Sequence, residues 1–363
     1  MRAAAILGVV AIHATSPFLS QLAARPEGPA SRFFFLAALN QAGRFSVPAF
    51  FLLSGFLTAF HSENTSRVVG PDGYMKRRLG RLLLPYLTWS VLLCALPSLL
   101  HGEATTADLG TRFLLGWTFT GGYFLLALAQ LTILAPLLLR VVRRSGQAAV
   151  LLFSASLFAT EAMFAAAAYG AGPWSRYVRE GFSSCLTLGP AWAPFFIAGL
   201  WAGGARGWLV PWMGRHRVGL VSVAAALYGA SLWEFLSVQE RTASLGLAAS
   251  FLKPTSVLFA FAACAVCLGT REARPVTGLV PVAEPAPLAP AFRALAGGSY
   301  AIYLLHGCVV LALFGIASPW WQGLLGTPAG PLLLGACGIV LPLAFFRIAD
   351  RRAPAWARFA MFG

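Results

Sequence analysis

Apolar residues in this chain come in blocks of about twenty, separated by short stretches rich in arginine, glycine and proline. A bilayer core of about 30 Å takes roughly 20 apolar residues in helical form. Blocks of this kind occupy approximately residues 3–22, 44–61, 82–100, 121–139, 148–169, 190–205, 217–236, 249–269, 297–317 and 328–347. They predict an all-α, polytopic transmembrane helical bundle of about ten helices, forming a single domain over residues 1–363. The sixth block is short and runs into GARGWLVPWMGRHR, so the pattern also admits nine or eleven crossings. The first block has no basic leader longer than Arg2 and no small-residue cleavage site, which reads as a retained first span rather than a removed signal. Residues 274–290, RPVTGLVPVAEPAPLAP, read as a Pro-rich extended linker within an inner loop of about 270–293. No internal repeat is visible.

Composition agrees: the chain is 58% hydrophobic and only 11% charged, with a mean hydropathy of +0.73, outside the range of soluble domains. The net charge of +15 would suggest a nucleic-acid partner in a soluble protein. Its distribution points elsewhere. With both termini on one side, nineteen of the 27 basic residues fall in the segments on that side, among them Arg67, Arg140, Arg143, Arg206, Arg271, Arg274, Arg293 and Arg351. The positive-inside rule makes that side the cytoplasm. The expectation is a multi-pass protein of the cytoplasmic membrane, both termini cytoplasmic, in contact with lipids and with no nucleic-acid partner. Of the six cysteines, Cys264 and Cys267 form a C-x2-C pair, but no second pair or nearby histidine completes a metal site. They read as small apolar fillers, with no metal expected.

A few polar side chains interrupt the blocks. Arg2 and His13 are eleven residues apart; at about 100° and 1.5 Å per residue they share a helix face, separated by about 16 Å. This puts Arg2 at the inner interface and His13 near the midplane, facing protein or water rather than lipid. A histidine bonded between helices satisfies the spacing equally well. Glu161 is an acid deep within the fifth block, where a lone carboxylate is expensive. Arg78 and Arg81 form an R-x2-R pair beside Lys76 and Arg77 at the start of the third block. Any inner loop of a membrane protein is basic, so anchoring alone explains this charge. Ser54 and Gly55 are small residues inside the second block; Ser54 lacks an acidic partner and reads as packing rather than nucleophile. His306 lies midway through the ninth block, and Gln130 and Glu234 are weaker candidates of the same kind. His61, His101 and His216 lie at span ends, and the tryptophans of SPWWQG and GPWSRY suit a membrane interface.

R-x10-H in a first span, followed in order by RFSVPAFFLLSGFL (44–57), YMKRRLGRLLLPYLTWS (74–90), YFLLALAQLTILAPLL (123–138) and SYAIYLLHG (299–307), resembles the integral-membrane acyltransferase family three. Members of that family transfer acyl groups to surface carbohydrates and other hydroxyl-bearing acceptors. AIHATSP and FSVPAFFLLSGF are most similar to the branch that modifies exopolysaccharide. The resemblance implies that His13 is the general base, Arg2 its companion, and the R-x2-R pair a donor site. It also marks Tyr303 and His306 as family positions; Glu161, singled out by its depth alone, is a further candidate for the catalytic cavity, paired with a histidine or arginine there or protonated and hydrogen-bonded. It departs at one point. The family carries residues ahead of this arginine, whereas here it is residue 2, which points to a start placed late or a trimmed chain.

The implied chemistry is coherent. A sugar hydroxyl needs a base to attack a thioester at neutral pH, and a neutral imidazole accepts its proton. Acyl-CoA is cytosolic and carries several phosphates, which guanidinium groups bind in bidentate fashion. Arg78 and Arg81 would grip them, with Lys76 and Arg77 adding field. The expectation is therefore an O-acyltransferase moving an acyl group, acetyl in the first instance, from acetyl-CoA to a hydroxyl of a cell-surface or lipid-linked carbohydrate. A glycan-synthesis complex or a homo-oligomer is the expected assembly. A polytopic transporter or exporter of polysaccharide or a small amphiphile is the alternative, since buried His13 and Glu161 also suit a proton-linked carrier. A carrier has no special need of a phosphate clamp. A non-catalytic subunit of a glycan-synthesis complex is a third reading.

Overall fold

The structure is a computed structural model that describes residues 1–24, 30–64, 75–96, 98, 105–170, 174–269, 289–316, 318–324 and 327–363. Most of the Pro-rich loop, together with His101, Arg67, Arg271 and Arg274, lies outside the described residues. The described chain is helical, with no strand among the described residues. Its helices are α1 (Arg2–Ala23), α2 (Ala30–Ala42), α3 (Ser46–Asn64), α4 (Lys76–Ser90), α5 (Thr106–Leu115), α6 (Gly122–Arg144), α7 (Gly146–Tyr169), α8 (Trp174–Cys185) and α9 (Ala193–Gly204). They continue as α10 (Arg206–Arg215), α11 (Arg217–Thr242), α12 (Leu245–Ala248), α13 (Pro254–Gly269), α14 (Ala289–Gly297), α15 (Ser299–Ile316), α16 (Ser318–Gly323), α17 (Ala329–Arg352) and α18 (Ala355–Phe362).

Each of the ten apolar blocks coincides with a helix, but they are not equal. Seven helical stretches among the described residues are long and apolar enough to cross a membrane: Arg2–Ala23, Arg32–Ser62, Gly122–Arg144, Gly146–Tyr169, Arg217–Thr242, Ser299–Ile316 and Ala329–Arg352. The third block begins in the charged α4 and continues through a π-helical turn, Val91–Ala95. The sixth starts as a 3-10 turn, Gly189–Trp192, and α9 adds only 12 residues, about 18 Å of helix against a core of about 30 Å. The eighth, α13, has 16 residues. The segment between the first and second blocks contains a helix of its own, α2, which reaches α3 through a turn at Gly43–Phe45.

The chain forms two compact units that interleave along the sequence. The first comprises Met1–Phe50, Ala205–Ile302 and Ala317–Ala336. α1 is its inner helix: 61% of its apolar window is buried, against 22% for α11. α1 meets the turn that follows α2 where two glycines face each other; a Cβ added to Gly43 would lie 2.5 Å from the Gly8 carbonyl oxygen and 2.8 Å from Ile12 Cγ1. Small residues at a crossing let helix backbones approach, which is how membrane helices gain packing energy when lipid is as apolar as leucine.

The second unit comprises Phe51–Gly204, Tyr303–Ile316 and Cys337–Gly363. Trp192, fully buried, stacks on Phe51 with centroids 4.8 Å apart; Phe51 meets Phe124 edge-on at 4.8 Å, and Phe124 meets Tyr303 at 4.9 Å. α3 and α9 are held close by Gly55, Gly199 and Gly203. A Cβ on Gly203 would sit 2.6 Å from the Phe56 carbonyl oxygen, and one on Gly55 only 2.9 Å from Leu200 N.

Candidate functional site

The candidate residues divide between the two units: Arg2 and His13 belong to the first, and Ser54, Gly55, Lys76, Arg77, Arg78, Arg81, Glu161, Tyr303 and His306 to the second.

In the first unit His13 is half-buried in the middle of α1, and Arg2 is exposed at that helix's N-terminal end. Pro17, one turn after His13, brings no N–H to the His13 carbonyl, the usual acceptor for residue 17. Side chains reinforce the turn. Thr15 Oγ1 donates to the carbonyls of Ala11 (2.8 Å) and Ile12 (3.1 Å), and Ser16 Oγ donates to Ile12 O at 2.7 Å. From α2, Asn40 Nδ2 donates to Ile12 O (3.2 Å) and Thr15 Oγ1 (2.9 Å).

Behind Asn40 stands a buried polar network that the sequence pattern did not single out. Asn40 Oδ1 accepts from Arg44 Nε at 3.1 Å and from Arg44 Nη2, and the guanidinium lies 4.7 Å from the Phe251 ring centroid. Lys253 Nζ donates to Gln41 Oε1 (3.0 Å) and to the Ser231 carbonyl (2.9 Å). Ser231 Oγ and Ser256 Oγ are 2.9 Å apart. Asn40, Gln41, Arg44, Ser231, Lys253 and Ser256 are all buried. Glu234, also buried, accepts from the Thr255 backbone N–H (3.2 Å) and hydroxyl, capping α13. The signal available in the sequence was Lys253 itself, a lysine inside an apolar block.

In the second unit the structure brings Ser54 and Arg78 together. Arg78 Nη2 donates to Ser54 Oγ and Nη1 to Thr58 Oγ1 at 2.7 Å, so the second apolar block aims the first arginine of R-x2-R. Gly55, the next residue, is packed against α9. Arg78 and Arg81 do not share an environment: Arg78 is half-buried between α3 and α4, whereas Arg81, Arg77 and Lys76 are exposed.

Tyr303 and His306 are one turn apart on α15, with ring centroids 6.0 Å apart. The Tyr303 hydroxyl donates to the Gly121 carbonyl at 2.7 Å. Gly121 has φ +88, and a Cβ there would lie 2.6 Å from the Tyr303 oxygen, so both its conformation and its neighbour require glycine. His306 is fully buried with Nδ1 2.8 Å from the Tyr303 carbonyl; because a carbonyl only accepts, Nδ1 carries the proton. Glu161 is half-buried on α7, with Oε2 shielded from solvent beside the buried Thr160 and Phe164. Gln130 ties α6 to the turn before α9, donating to the Thr187 carbonyl (3.0 Å) and accepting from the Gly189 N–H (2.8 Å). Among the described residues no three His, Cys, Asp or Glu side chains gather to hold a metal ion.

Long apolar helices carrying cations, carboxylates and imidazoles on inward faces define a polytopic membrane protein with polar interior sites. The match to known families is specific: the acyltransferase domain of acyltransferase family 3 covers residues 1–347, and the chain belongs to that family. It is a membrane acyltransferase, and its substrates are an acyl donor and an acceptor. No curated protein and no solved structure gives a significant match.

Proposed function

We propose that this membrane acyltransferase moves an acyl group, acetyl in the simplest case, from cytosolic acyl-CoA to a hydroxyl of a cell-surface or lipid-linked carbohydrate, the whole chain acting as one catalytic domain. His13 serves as the general base. One imidazole nitrogen takes the acceptor's hydroxyl proton as that oxygen attacks the thioester carbonyl. The C–S bond then breaks, and the imidazolium returns the proton to the departing thiolate, giving ester and free thiol with His13 regenerated. Arg2 sits on the same helix at its cytosolic end. Arg78, aimed by Ser54 and Thr58, meets the donor's phosphates together with Arg81, Arg77 and Lys76.

The observation that carries this reading is the treatment of one turn of α1. His13 is half-buried in the innermost helix of its unit, and the peptide that precedes it is gripped from a neighbouring helix. That arrangement suits a side chain whose position matters to chemistry. The test is purified protein with labelled acetyl-CoA, with and without envelope glycans, comparing native protein with His13→Ala. A His13→Ala protein that elutes and melts normally should lose acyl transfer by at least about 100-fold, the usual contribution of a general base. Normal turnover by that variant removes His13 from the mechanism. Turnover without added glycan points to another acceptor.

A further inference from the structure

Asn40 is buried, 1% exposed, on α2, and its two ends do opposite things. Its oxygen faces Arg44, which can only donate, and its nitrogen faces the Ile12 carbonyl, which can only accept, so the amide has one admissible orientation. The Ile12 carbonyl and the His13 N–H belong to one planar peptide unit. Whatever holds the Ile12 oxygen therefore holds the base's own backbone. Thr15 and Ser16 bind that oxygen from within α1; Asn40 is the partner from outside the helix. The need for an outside partner is local, because Pro17 removes a backbone hydrogen bond from this same turn.

The network behind Asn40 gives the grip its stiffness. Arg44 donates to Oδ1 through two nitrogens, a charge-assisted pair that polarises the amide and strengthens the N–H bonds on its other end. Next along α2, Gln41 is anchored to α11 and to the α13 entry through Lys253 and Ser231. Gln41 Nε2 donates in turn to Asn40 Oδ1 at 3.4 Å, so the run that stiffens the grip extends from Lys253 to the peptide of His13, and Ser256 meets it only at its margin, through the Ser231 hydroxyl.

We propose that Asn40, backed by Arg44, is the positioning residue of this acyltransferase, fixing the peptide plane that carries the catalytic base. The proposal rests on the reading of His13 as that base. Asn40→Asp keeps the size and the acceptor for Arg44 but cannot donate to Ile12 O. Its effect is a fall in kcat of about 10- to 100-fold, the scale set by displacing a reacting group by under 1 Å, with KM for both substrates within about twofold of native. Ser256→Ala, at the margin of the same network, should keep native kcat. Because a buried substitution can block folding, Thr15 supplies a second pair: Thr15→Ser retains the hydroxyl that Asn40 binds and keeps kcat, whereas the isosteric Thr15→Val loses several-fold.

All variants are compared with His13→Ala by size-exclusion elution, melting temperature and steady-state kinetics. An Asn40→Asp protein that folds with native kcat overturns the positioning role. So does an equal loss in Ser256→Ala, which reduces the network to general structure, and so does a Thr15→Val that matches Thr15→Ser. Native activity in His13→Ala is a separate failure, that of the base itself.

Discussion

Replacing Gly43 by alanine adds one methyl group where α1 crosses the turn between α2 and α3, and the geometry says what it must do. The new Cβ would lie 2.5 Å from the Gly8 carbonyl oxygen and 2.8 Å from Ile12 Cγ1. Ordinary contacts begin near 3.4 Å, so the crossing has to open by roughly 0.6 to 0.9 Å. The first neighbour is backbone of a buried helix and cannot rotate away. Overpacking of this kind costs about 1–3 kcal/mol. The same opening acts on the 3.2 Å bond from Asn40 to Ile12 O, which at roughly 4 Å is no longer a hydrogen bond. Gly43→Ala should therefore lower both the melting temperature in detergent and kcat. Gly229→Ala is the control, since nothing lies within 4 Å of a Cβ on Gly229, and removing a mid-helix glycine there should leave stability equal or improved by up to about 1 kcal/mol. A Gly43→Ala protein that melts and turns over like Gly229→Ala refutes the argument that this crossing sets the place of His13.

Two other consequences are open to measurement. Arg78→Lys keeps the charge, but an ammonium cannot span Thr58 Oγ1 and Ser54 Oγ and still face a phosphate as a fork; KM for the acyl-CoA donor should rise about 10-fold, the worth of one charge-assisted hydrogen bond, while Arg140→Ala leaves it unchanged. An unchanged KM in Arg78→Lys would return the R-x2-R cluster to simple anchoring. At the start of α5 the Thr105 hydroxyl and backbone N–H both donate to Asp108 and hold its carboxyl below the usual value, with Arg112 adding to the effect. A depressed folded value stabilises the helix above the unfolded value near 3.9 and stops doing so as pH falls through the folded value; amide protection of Leu109 relative to α6 should therefore decline below about pH 4 in native protein, and a flat ratio there would count against the capping role.

Much of the architecture was legible from the blocks of apolar residues, because a lipid-spanning helix must satisfy its own backbone hydrogen bonds and its length is dictated by the bilayer. What the blocks leave unread lies where that rule is silent. The stretch between the first and second blocks holds a helix, α2, whose sequence, ASRFFFLAALNQA, carries an apolar run of only seven residues before Asn40 and Gln41, too short to register as a span, and Gly43 in the turn that follows packs against Gly8 of α1. The sixth block already reads as short, and the structure divides it between the 3-10 turn Gly189–Trp192 and the 12-residue α9. Composition registers both as greasy.

The residues of the site show the same division between local and distant information. The pairing of Arg2 with His13 is a matter of helical period and can be read along one helix. The bonds from Arg78 to Ser54 and Thr58 need α3 folded back on α4, and the sequence offered only the two motifs separately. The network that reaches the His13 peptide joins residues 12, 15, 40, 41, 44, 231, 253 and 256, the Lys253 to Gln41 bond closing a separation of 212 residues. No pattern within a window reports such a closure. What the sequence does report is its cost: Arg44 and Lys253 inside apolar surroundings require partners, and a cation that folding has to bury must be repaid by hydrogen bonds arranged for it. Here that arrangement ends on the peptide of the one half-buried histidine of α1, so the same bonds that make the cations tolerable also hold the proposed base in place.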